Sequence, residues 1–171
     1  MNAVTLVPPN PDWPRQAQEQ AERLGQLLGP NLVRVHHIGS TSIAGIWAKP
    51  ILDLLPEVAS LKELDLLQAK LEGEGYQWLG EFGLPDRRLL LVHQGPKRVA
   101  NIHCYPLGHG EVLRHLAFRD YLRAHPELAQ EYEKVKRACS QLHQEVMAYN
   151  QCKDAWIKRT EAEAMRSSGN L

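Results

Sequence analysis

The chain has 171 residues, of which 43% are hydrophobic and 23% are charged, enough for a single domain with a sizeable core. Its 20 lysine and arginine residues balance its 20 aspartate and glutamate residues, which argues against binding to nucleic acid or to an anionic membrane. No apolar run approaches the roughly 18 to 20 residues of a transmembrane helix. Residues 1–4 lack the basic and apolar blocks of a signal peptide, so we expect a cytoplasmic protein.

The first third of the chain is predicted to contain one helix and two strands. Asp12 is placed to cap a helix that ends at Leu28, because apolar residues recur there on one face. Residues 32–36 are predicted to form a strand. Residues 51–55 are predicted to form a buried strand, and Pro56 argues against a long central one because proline cannot donate a ladder hydrogen bond.

A second helix and a hairpin follow. Ser60 and Glu63 have the spacing of a capping box, and the apolar residues after them predict a helix over residues 61–71. The β-rich residues 88–93 and 99–105 flank a loop with a Gly-Pro pair. That order is typical of two antiparallel strands.

From residue 111 onward the pattern is helical, with a break at Pro126. Between Leu128 and Tyr149, apolar residues recur in steps of four and three and form one long stripe. The stripe is expected to pack on the sheet or on another helix; a coiled-coil dimer is the alternative. We therefore expect one domain over residues 1–171, with a core over about 1–110 and a helical part over about 111–165.

Cys104, Cys139 and Cys152 are odd in number and lack the paired spacing of a metal site. In a cytoplasmic protein, such residues are expected to be reduced thiols that contribute to packing.

A Gly-Ser turn is the first candidate for a binding site. Gly39, Ser40 and Thr41 follow the strand over residues 32–36. Glycine lets a backbone approach a phosphate closely, and free N–H groups and hydroxyls can coordinate its oxygens. Lys49 is placed to add positive charge. A plain turn and a solvated lysine are the alternatives.

Asp53 lies inside an apolar run, where an unpaired carboxylate is costly. It therefore requires a cation, a hydrogen-bond partner or a salt bridge. Position 55, where a second acid would complete a metal pair, is occupied by leucine.

Asn101, His103 and Tyr105 share one face of a predicted strand. That face either forms the wall of a site or is solvated. His37, His103 and Asp53 together have the residue types of a two-histidine, one-carboxylate metal site.

Two further groups carry charge near these motifs. Glu81, with Arg87 and Arg88, lies in a loop that could cover a site; Glu81 can act as a base or metal ligand, and the arginines can bind phosphate. A salt bridge that stabilises the loop is the alternative for all three.

His115, Arg119 and Arg123 recur at steps of four, hence on one helix face. They present a cationic wall to an anionic substrate, or they pair with acidic residues on a solvated face.

Taken together, these blocks resemble the GrpB-type family of the nucleotidyltransferase superfamily. The resemblance rests on ordered motifs that reach from the N-terminal region to about Trp156: Leu6-Val7-Pro8 with Asp12-Trp13-Pro14, His37-Ile38-Gly39-Ser40-Thr41-Ser42, Lys49-Pro50-Ile51-Leu52-Asp53, Gly80-Glu81-Phe82-Gly83-Leu84-Pro85 with Arg87-Arg88, Asn101-Ile102-His103, and His115-Leu116-Ala117-Phe118-Arg119-Asp120-Tyr121-Leu122-Arg123.

The resemblance implies an α/β (α+β) fold, a nucleotidyltransferase-like mixed sheet flanked by helices, with a C-terminal helical extension. In that superfamily the Gly-Ser turn binds nucleotide phosphates, and strand acids hold divalent metals. Gly39, Ser40 and Asp53 match this pattern, whereas Leu55 departs from it. His103 is the best candidate for the third acidic position, with a divalent ion (Mg, Mn or Zn) as cofactor. Family members joined to a CoA-biosynthesis kinase associate the fold with nucleotide or CoA-type ligands.

Three functions follow as hypotheses. The first is a metal-dependent nucleotidyltransferase that uses a nucleoside triphosphate and an unknown small-molecule acceptor. The second is a catalytically silent module that binds a nucleotide or CoA-type ligand. The third is a metal-dependent phosphohydrolase. None of these requires nucleic acid or a membrane as a partner, and the sequence leaves the oligomeric state open.

Overall fold

The computed structural model describes residues 4–169. Its strands are β1 (Leu32–Ile38), β2 (Leu52–Val58), β3 (Tyr76–Gly80), β4 (Arg88–Gln94) and β5 (Lys97–Pro106). Its α-helices are α1 (Trp13–Leu28), α2 (Leu61–Leu66), α3 (Gln68–Gly73), α4 (Gly110–Ala124), α5 (Pro126–Leu142) and α6 (Val146–Ser167). Within residues 4–169, no helix combines the length and the apolar character needed to cross a membrane.

The five strands form one mixed sheet in the order β1-β2-β5-β4-β3. Strands β2 and β5 are parallel, and the other neighbours are antiparallel. Helices flank the sheet, so the predicted mixed α/β fold is confirmed. One face carries the main core, in which side chains of β2, β4 and β5 pack against α1, α2 and α3.

The opposite face is covered only in part. Ile38, Leu55 and Tyr105 pack there against Val112 of α4. Helices α5 and α6 are joined by residues 143–145 and pack on each other and on α4; we call this pair the α5–α6 hairpin. Its core includes the stacked rings of Tyr132 and Trp156, with centroids 5.1 Å apart.

Two predicted elements differ in detail from the structure. Strand β2 continues through Pro56 to Val58 although it lies inside the sheet. Pro56 pairs with Val35 of β1, while the register with β5 runs through Leu54 and then Glu57, on either side of the proline. A missing N–H is therefore accommodated without ending the strand.

The helix predicted over residues 61–71 is divided. It begins at the predicted cap, where the Ser60 hydroxyl accepts a hydrogen bond from the Glu63 N–H, but it ends at Leu66 before α3 starts. Asp12 precedes α1 as expected, yet its side chain makes no capping bond and instead pairs with Arg15. The apolar stripe is divided between α5 and α6, and its residues pack within the chain except for Leu142, which is exposed.

The cysteines require a correction. Cys139 of α5 and Cys152 of α6 form a disulfide, with Cα atoms 5.8 Å apart. Their spacing of 13 residues brings them together because the chain reverses between the two helices. Only Cys104 is a free thiol among the described residues; it is buried, and burial raises its pKa to about 12.

Candidate functional site

A cleft of about 220 Å³ lies between the sheet and the α5–α6 hairpin. The sheet and the turn after β1 form one wall, and the hairpin forms the other. The lining residues are Gly39, Ser40, Thr41, Lys49, Ile51, Asp53, Asn101, Tyr132, Lys136, Tyr149, Asn150 and Lys153. The cleft therefore joins the predicted Gly-Ser turn, Lys49 and Asp53 in one place.

The turn lies directly against the carboxylate. Ile38 at the end of β1 pairs with Asp53 of β2, so Gly39 follows at the level of that side chain. A Cβ on Gly39 would lie 2.6 Å from Asp53 Oδ2, and the residue has φ 71° and ψ −173°. That backbone conformation is essentially restricted to glycine. Gly39 is therefore required by the approach of the carboxylate as well as by the turn.

Residues Ser40–Ser42 form a short 3₁₀ turn, and three side chains donate hydrogen bonds to backbone carbonyls in and beside it. The Ser42 hydroxyl donates to Gly39 O at 2.6 Å, Arg123 Nε donates to Ser42 O at 2.9 Å, and Arg119 Nη1 donates to His37 O at 3.2 Å. Arg119 also pairs with its neighbour on α4, Asp120. The predicted phosphate ligand Arg119 thus fixes the turn and does not line the cleft.

Asp53 is held by two side chains of β5. Its Oδ1 accepts a hydrogen bond from Asn101 Nδ2 at 2.9 Å and lies 3.2 Å from His103 Nε2. Burial alone would raise the pKa of this carboxyl, but the hydrogen bond and charge of His103, with Asn101 and Lys49, lower it below its usual value. Asp53 is therefore an anion, and the polar face of β5 faces the site.

Three lysines surround this single carboxylate. Lys136 is only 1% exposed, and its Nζ donates to Trp47 O at 2.6 Å. Lys153 and Lys49 reach the ring of Tyr149 at 4.5 and 5.4 Å from its centroid. Among residues 4–169, the three lysines and Asp53 are the only charged side chains that line the cleft, so its formal charge is positive.

Burial makes these cations easier to deprotonate. Burial, with a smaller contribution from neighbouring lysines, lowers the pKa of Lys136 to about 7 and that of Lys153 to about 8. Burial also lowers the pKa of Lys49. An anion that enters the cleft would restore the charged forms, because opposite charge favours protonated lysine.

The structure does not bring His37 to Asp53. In the antiparallel register His37 pairs with Leu54, so its side chain lies on the other face of the sheet, beside α1. There its Nε2 is 2.8 Å from Thr41 Oγ1, and burial lowers its pKa to about 4. In residues 4–169, no group of three or more histidine, cysteine or acidic side chains is arranged to hold a metal.

His115 lies next to His103, the histidine that contacts Asp53. Its ring lies on α4 with its centroid 6.3 Å from that of His103. Burial lowers the pKa of His115 to about 4, and the adjacent Arg114 contributes to this shift. His115 is therefore a neutral group behind the Asp53–His103 pair, outside the cleft.

Glu81, Arg87 and Arg88 form a separate network near the far edge of the sheet. Arg87 donates to Glu81 O and Phe82 O, and thereby closes the loop on itself. Arg88 makes a bidentate pair with Asp65 of α2, at 2.6 and 2.8 Å. The structure supports the stabilising interpretation of this loop, since none of the three residues lines the cleft.

Leu55 has no access to the cleft. It is fully buried and packs with Ile38, Tyr105 and Val112 beneath α4. On the same strand face, Glu57 is bound to His36 Nε2 and to the Gly108 N–H. The place of a second acid is thus occupied by a packed apolar cluster.

Lys136 and Lys153 are the charged site residues that sequence reasoning missed. Lys136 follows Tyr132 by four residues, and Lys153 follows Tyr149 by four. Each lysine therefore shares a helix face with a tyrosine of the apolar stripe. A lysine on an apolar helix face is the signal that would have identified them.

The donor set fits one divalent ion better than two. Asp53 supplies a carboxylate, and Asn101 Oδ1 is a buried acceptor without a hydrogen-bond partner in the structure. Magnesium is commonly held by one or two protein oxygens together with substrate phosphates. Asp53 and Asn101 would hold such an ion at the floor of the cleft.

Comparisons with known proteins agree on one family. The family described as "GrpB protein" matches residues 3–163. The UPF0157 protein YqkA of Bacillus subtilis is 40% identical over 164 residues, which cover 95% of this chain and 48% of that protein. A dephospho-CoA kinase of Mycolicibacterium paratuberculosis is 32% identical over 180 residues, which cover 91% of this chain and 44% of the kinase. The chain thus spans about half the length of these two relatives.

A solved structure extends the likeness to the fold. The crystal structure of the conserved protein GrpB from Enterococcus faecalis superimposes with a TM-score of 0.90 at 42% sequence identity. The match covers 96% of this chain and 99% of that one. The sheet and all its flanking helices therefore belong to one shared architecture.

Proposed function

This chain belongs to the GrpB family, and we propose that it is a nucleotidyltransferase that takes a nucleoside triphosphate and a small-molecule acceptor. The observation that carries the proposal is the cleft, in which a Gly-Ser turn and a carboxylate face lysines from two helices. Nucleotidyl transfer requires these parts: a cradle for phosphates, an acid, and positive charge for the leaving group.

The lysines favour a ligand with several negative charges. Lys49, Lys136 and Lys153 outnumber Asp53, and burial makes unpaired lysine costly. A triphosphate tail satisfies this charge, and the hydroxyl and N–H groups of Ser40 complement phosphate oxygens. The same lysines would stabilise pyrophosphate as it leaves.

A divalent ion held by Asp53 and Asn101 would neutralise charge between the phosphates. The acceptor hydroxyl attacks the α-phosphorus, and the bond from that phosphorus to the β-phosphate oxygen breaks. The hydroxyl proton passes to the hydrogen-bonded pair of Asp53 and His103, which acts as the general base. Pyrophosphate leaves with the electron pair of the broken bond.

The test is pyrophosphate release from each nucleoside triphosphate with magnesium, manganese or zinc, in the presence of pooled small-molecule acceptors. Asp53→Asn is expected to abolish release. Asp65→Asn is the matched control, because Asp65 pairs with Arg88 and lies outside the cleft. Triphosphate binding without pyrophosphate release under any metal would refute the transferase.

The second candidate is a ligand-binding module without catalysis. The observation that favours it is Leu55, which is fully buried where a second metal-binding acid would stand. This candidate expects thermal stabilisation by nucleotides or CoA compounds, with no turnover and little effect of Asp53→Asn on affinity. The kinase name of one relative makes CoA compounds a necessary part of that screen.

A further inference from the structure

The disulfide between Cys139 and Cys152 lies beside the lysines of the cleft. Cys139 is three residues after Lys136 on α5, and Cys152 directly precedes Lys153 on α6. The bridge is thus the covalent link between the two helices within one helical turn of both lysines. It limits the distance between Lys136 and Lys153.

The two lysines differ in how the rest of the protein holds them. Lys136 is anchored to the sheet side of the cleft, where its Nζ donates to Trp47 O. Lys153 contacts the ring of Tyr149, which belongs to its own helix. Further along α6, Arg114 of α4 pairs with Glu161, and Trp156 Nε1 donates to Glu131. At the first turns of α6, the disulfide and the cluster of Val4, Cys139 and Tyr149 hold the helix to α5.

Electrostatic repulsion opposes the closed arrangement. Positive charge on Lys153 and Lys49 disfavours the charged form of Lys136, and Lys49 does the same to Lys153. When Lys136 of α5 and Lys153 of α6 are both protonated, their charges repel each other, and the disulfide between the two helices opposes their separation. A disulfide that restricts the separation of the helices keeps the lysines together before the ligand arrives.

The bridge is also accessible from solvent at one end. Cys139 is buried at 3% exposure, whereas Cys152 is exposed. Exposed disulfides are the ones that exchange with external thiols. A dithiol reductant attacks one sulfur to form a mixed disulfide, its second thiol closes to its own disulfide, and both cysteines leave as thiols.

We propose that reduction of the Cys139–Cys152 disulfide weakens the binding of polyphosphate in the cleft, so that the protein's ligand affinity follows the redox state of its surroundings. The proposal rests on the proposed function, since it assumes that the cleft binds a phosphate chain. The α5–α6 hairpin would then regulate ligand binding as well as line the cleft.

The experiment measures binding of inorganic tripolyphosphate to the whole chain by calorimetry, first oxidised and then incubated with a dithiol. Reduction is expected to raise the dissociation constant by about five- to tenfold, the lower range of coupling between linked sites. The double variant Cys139→Ser/Cys152→Ser is expected to bind as weakly as the reduced protein, and the reductant is expected to leave its affinity unchanged. Cys104→Ala is the matched control and is expected to keep the full redox response.

The outcomes separate the two proposals. Equal affinity before and after reduction overturns the redox control and leaves the anion site standing. No binding in either state overturns the anion site and the control with it. Circular dichroism on the same samples completes the test, because loss of helix on reduction would show that the bridge serves global stability instead of the cleft.

Discussion

Gly39 and Asp53 act as a single structural unit. The carboxylate of Asp53 lies so close to the Gly39 backbone that a Cβ at residue 39 would be 2.6 Å from its Oδ2. The register of β1 and β2 sets this contact, because Ile38 pairs with Asp53. Two motifs that are separate in sequence therefore depend on each other, because a bulkier residue in the turn would displace the acid.

The first prediction follows from this contact. Gly39→Ala is expected to displace Asp53 and to lower the free energy of unfolding by about 1–3 kcal/mol, the usual cost of a forced glycine conformation. Tripolyphosphate affinity is expected to fall at least about tenfold, since the carboxylate and turn move together. Calorimetry and urea unfolding measure the two effects.

Gly45→Ala is the control for this variant. Gly45 also has a positive φ of 80°, but an added Cβ would meet no atom of the described residues within 4 Å. It is expected to lose stability without losing affinity. Equal loss of affinity in both variants would show that backbone strain, and not the contact with Asp53, controls the site.

The second prediction concerns pH. The pKa of Lys136 is lowered to about 7 and that of Lys153 to about 8, so the empty cleft loses positive charge as pH rises through this range. A bound polyanion favours the protonated lysines, and binding therefore takes up protons. Tripolyphosphate affinity is expected to be highest below pH 7 and to fall towards pH 9. Calorimetry in buffers of different ionisation enthalpy measures the uptake.

A lysine outside the cleft gives the comparison. Lys136→Met is expected to bind more weakly at pH 6 and to show a smaller proton uptake. Lys158→Met removes an exposed lysine of α6 that pairs with Asp154, and it is expected to match the wild type. Affinity that stays constant from pH 6 to 9 in the wild type would contradict a role for buried lysines.

The third prediction asks whether Leu55 could be replaced by the missing acid. Leu55→Asp would bury a carboxylate among Ile38, Tyr105 and Val112, and it is expected to cost several kcal/mol of stability. Leu55→Met is expected to cost less than about 1.5 kcal/mol, as conservative core changes do. Urea unfolding compares them. An aspartate variant as stable as the methionine variant would mean that the position is open to the cleft.

The fourth prediction concerns the charged loop. Arg88→Ala and Glu81→Gln are expected to leave tripolyphosphate affinity unchanged, because neither residue lines the cleft. Arg88→Ala also removes the bidentate pair with Asp65 and is expected to lower stability by about 1 kcal/mol or less. Calorimetry measures the affinity of both variants, and thermal unfolding measures their stability. A large loss of affinity in either variant would show that the loop contributes to ligand binding.

Local patterns identified the sheet side of the site. The glycine turn and the half-buried Asp53 lie close together in sequence, and their spacing reflects two adjacent strands. The alternation of β5 placed Asn101 and His103 on one face, and the structure turns that face inward to Asp53. Short-range periodicity predicted the shared face because side chains alternate along a strand, but it left open whether that face forms the wall of a site or is solvated.

His37 shows why the same reasoning failed elsewhere. One residue of register separates Ile38, opposite Asp53, from His37, opposite Leu54, and it reverses the face. Sequence spacing cannot supply that register across two strands. The hairpin lysines were missed for a related reason, since their meeting with Asp53 depends on tertiary packing of segments far apart in the chain.

The α5–α6 hairpin, expected as an extension of a core, supplies Tyr132, Lys136, Tyr149, Asn150 and Lys153 to the cleft. A chain that ended before α5 would keep the whole sheet, the glycine turn and the acid, but the cleft would lose the wall that the hairpin forms. The two parts of the fold therefore have different roles. The strands position the phosphate next to the acid, and the lysines of the hairpin set how negatively charged the preferred ligand is. Relatives that share the strand motif but differ along these two helices are expected to differ in the ligand they select.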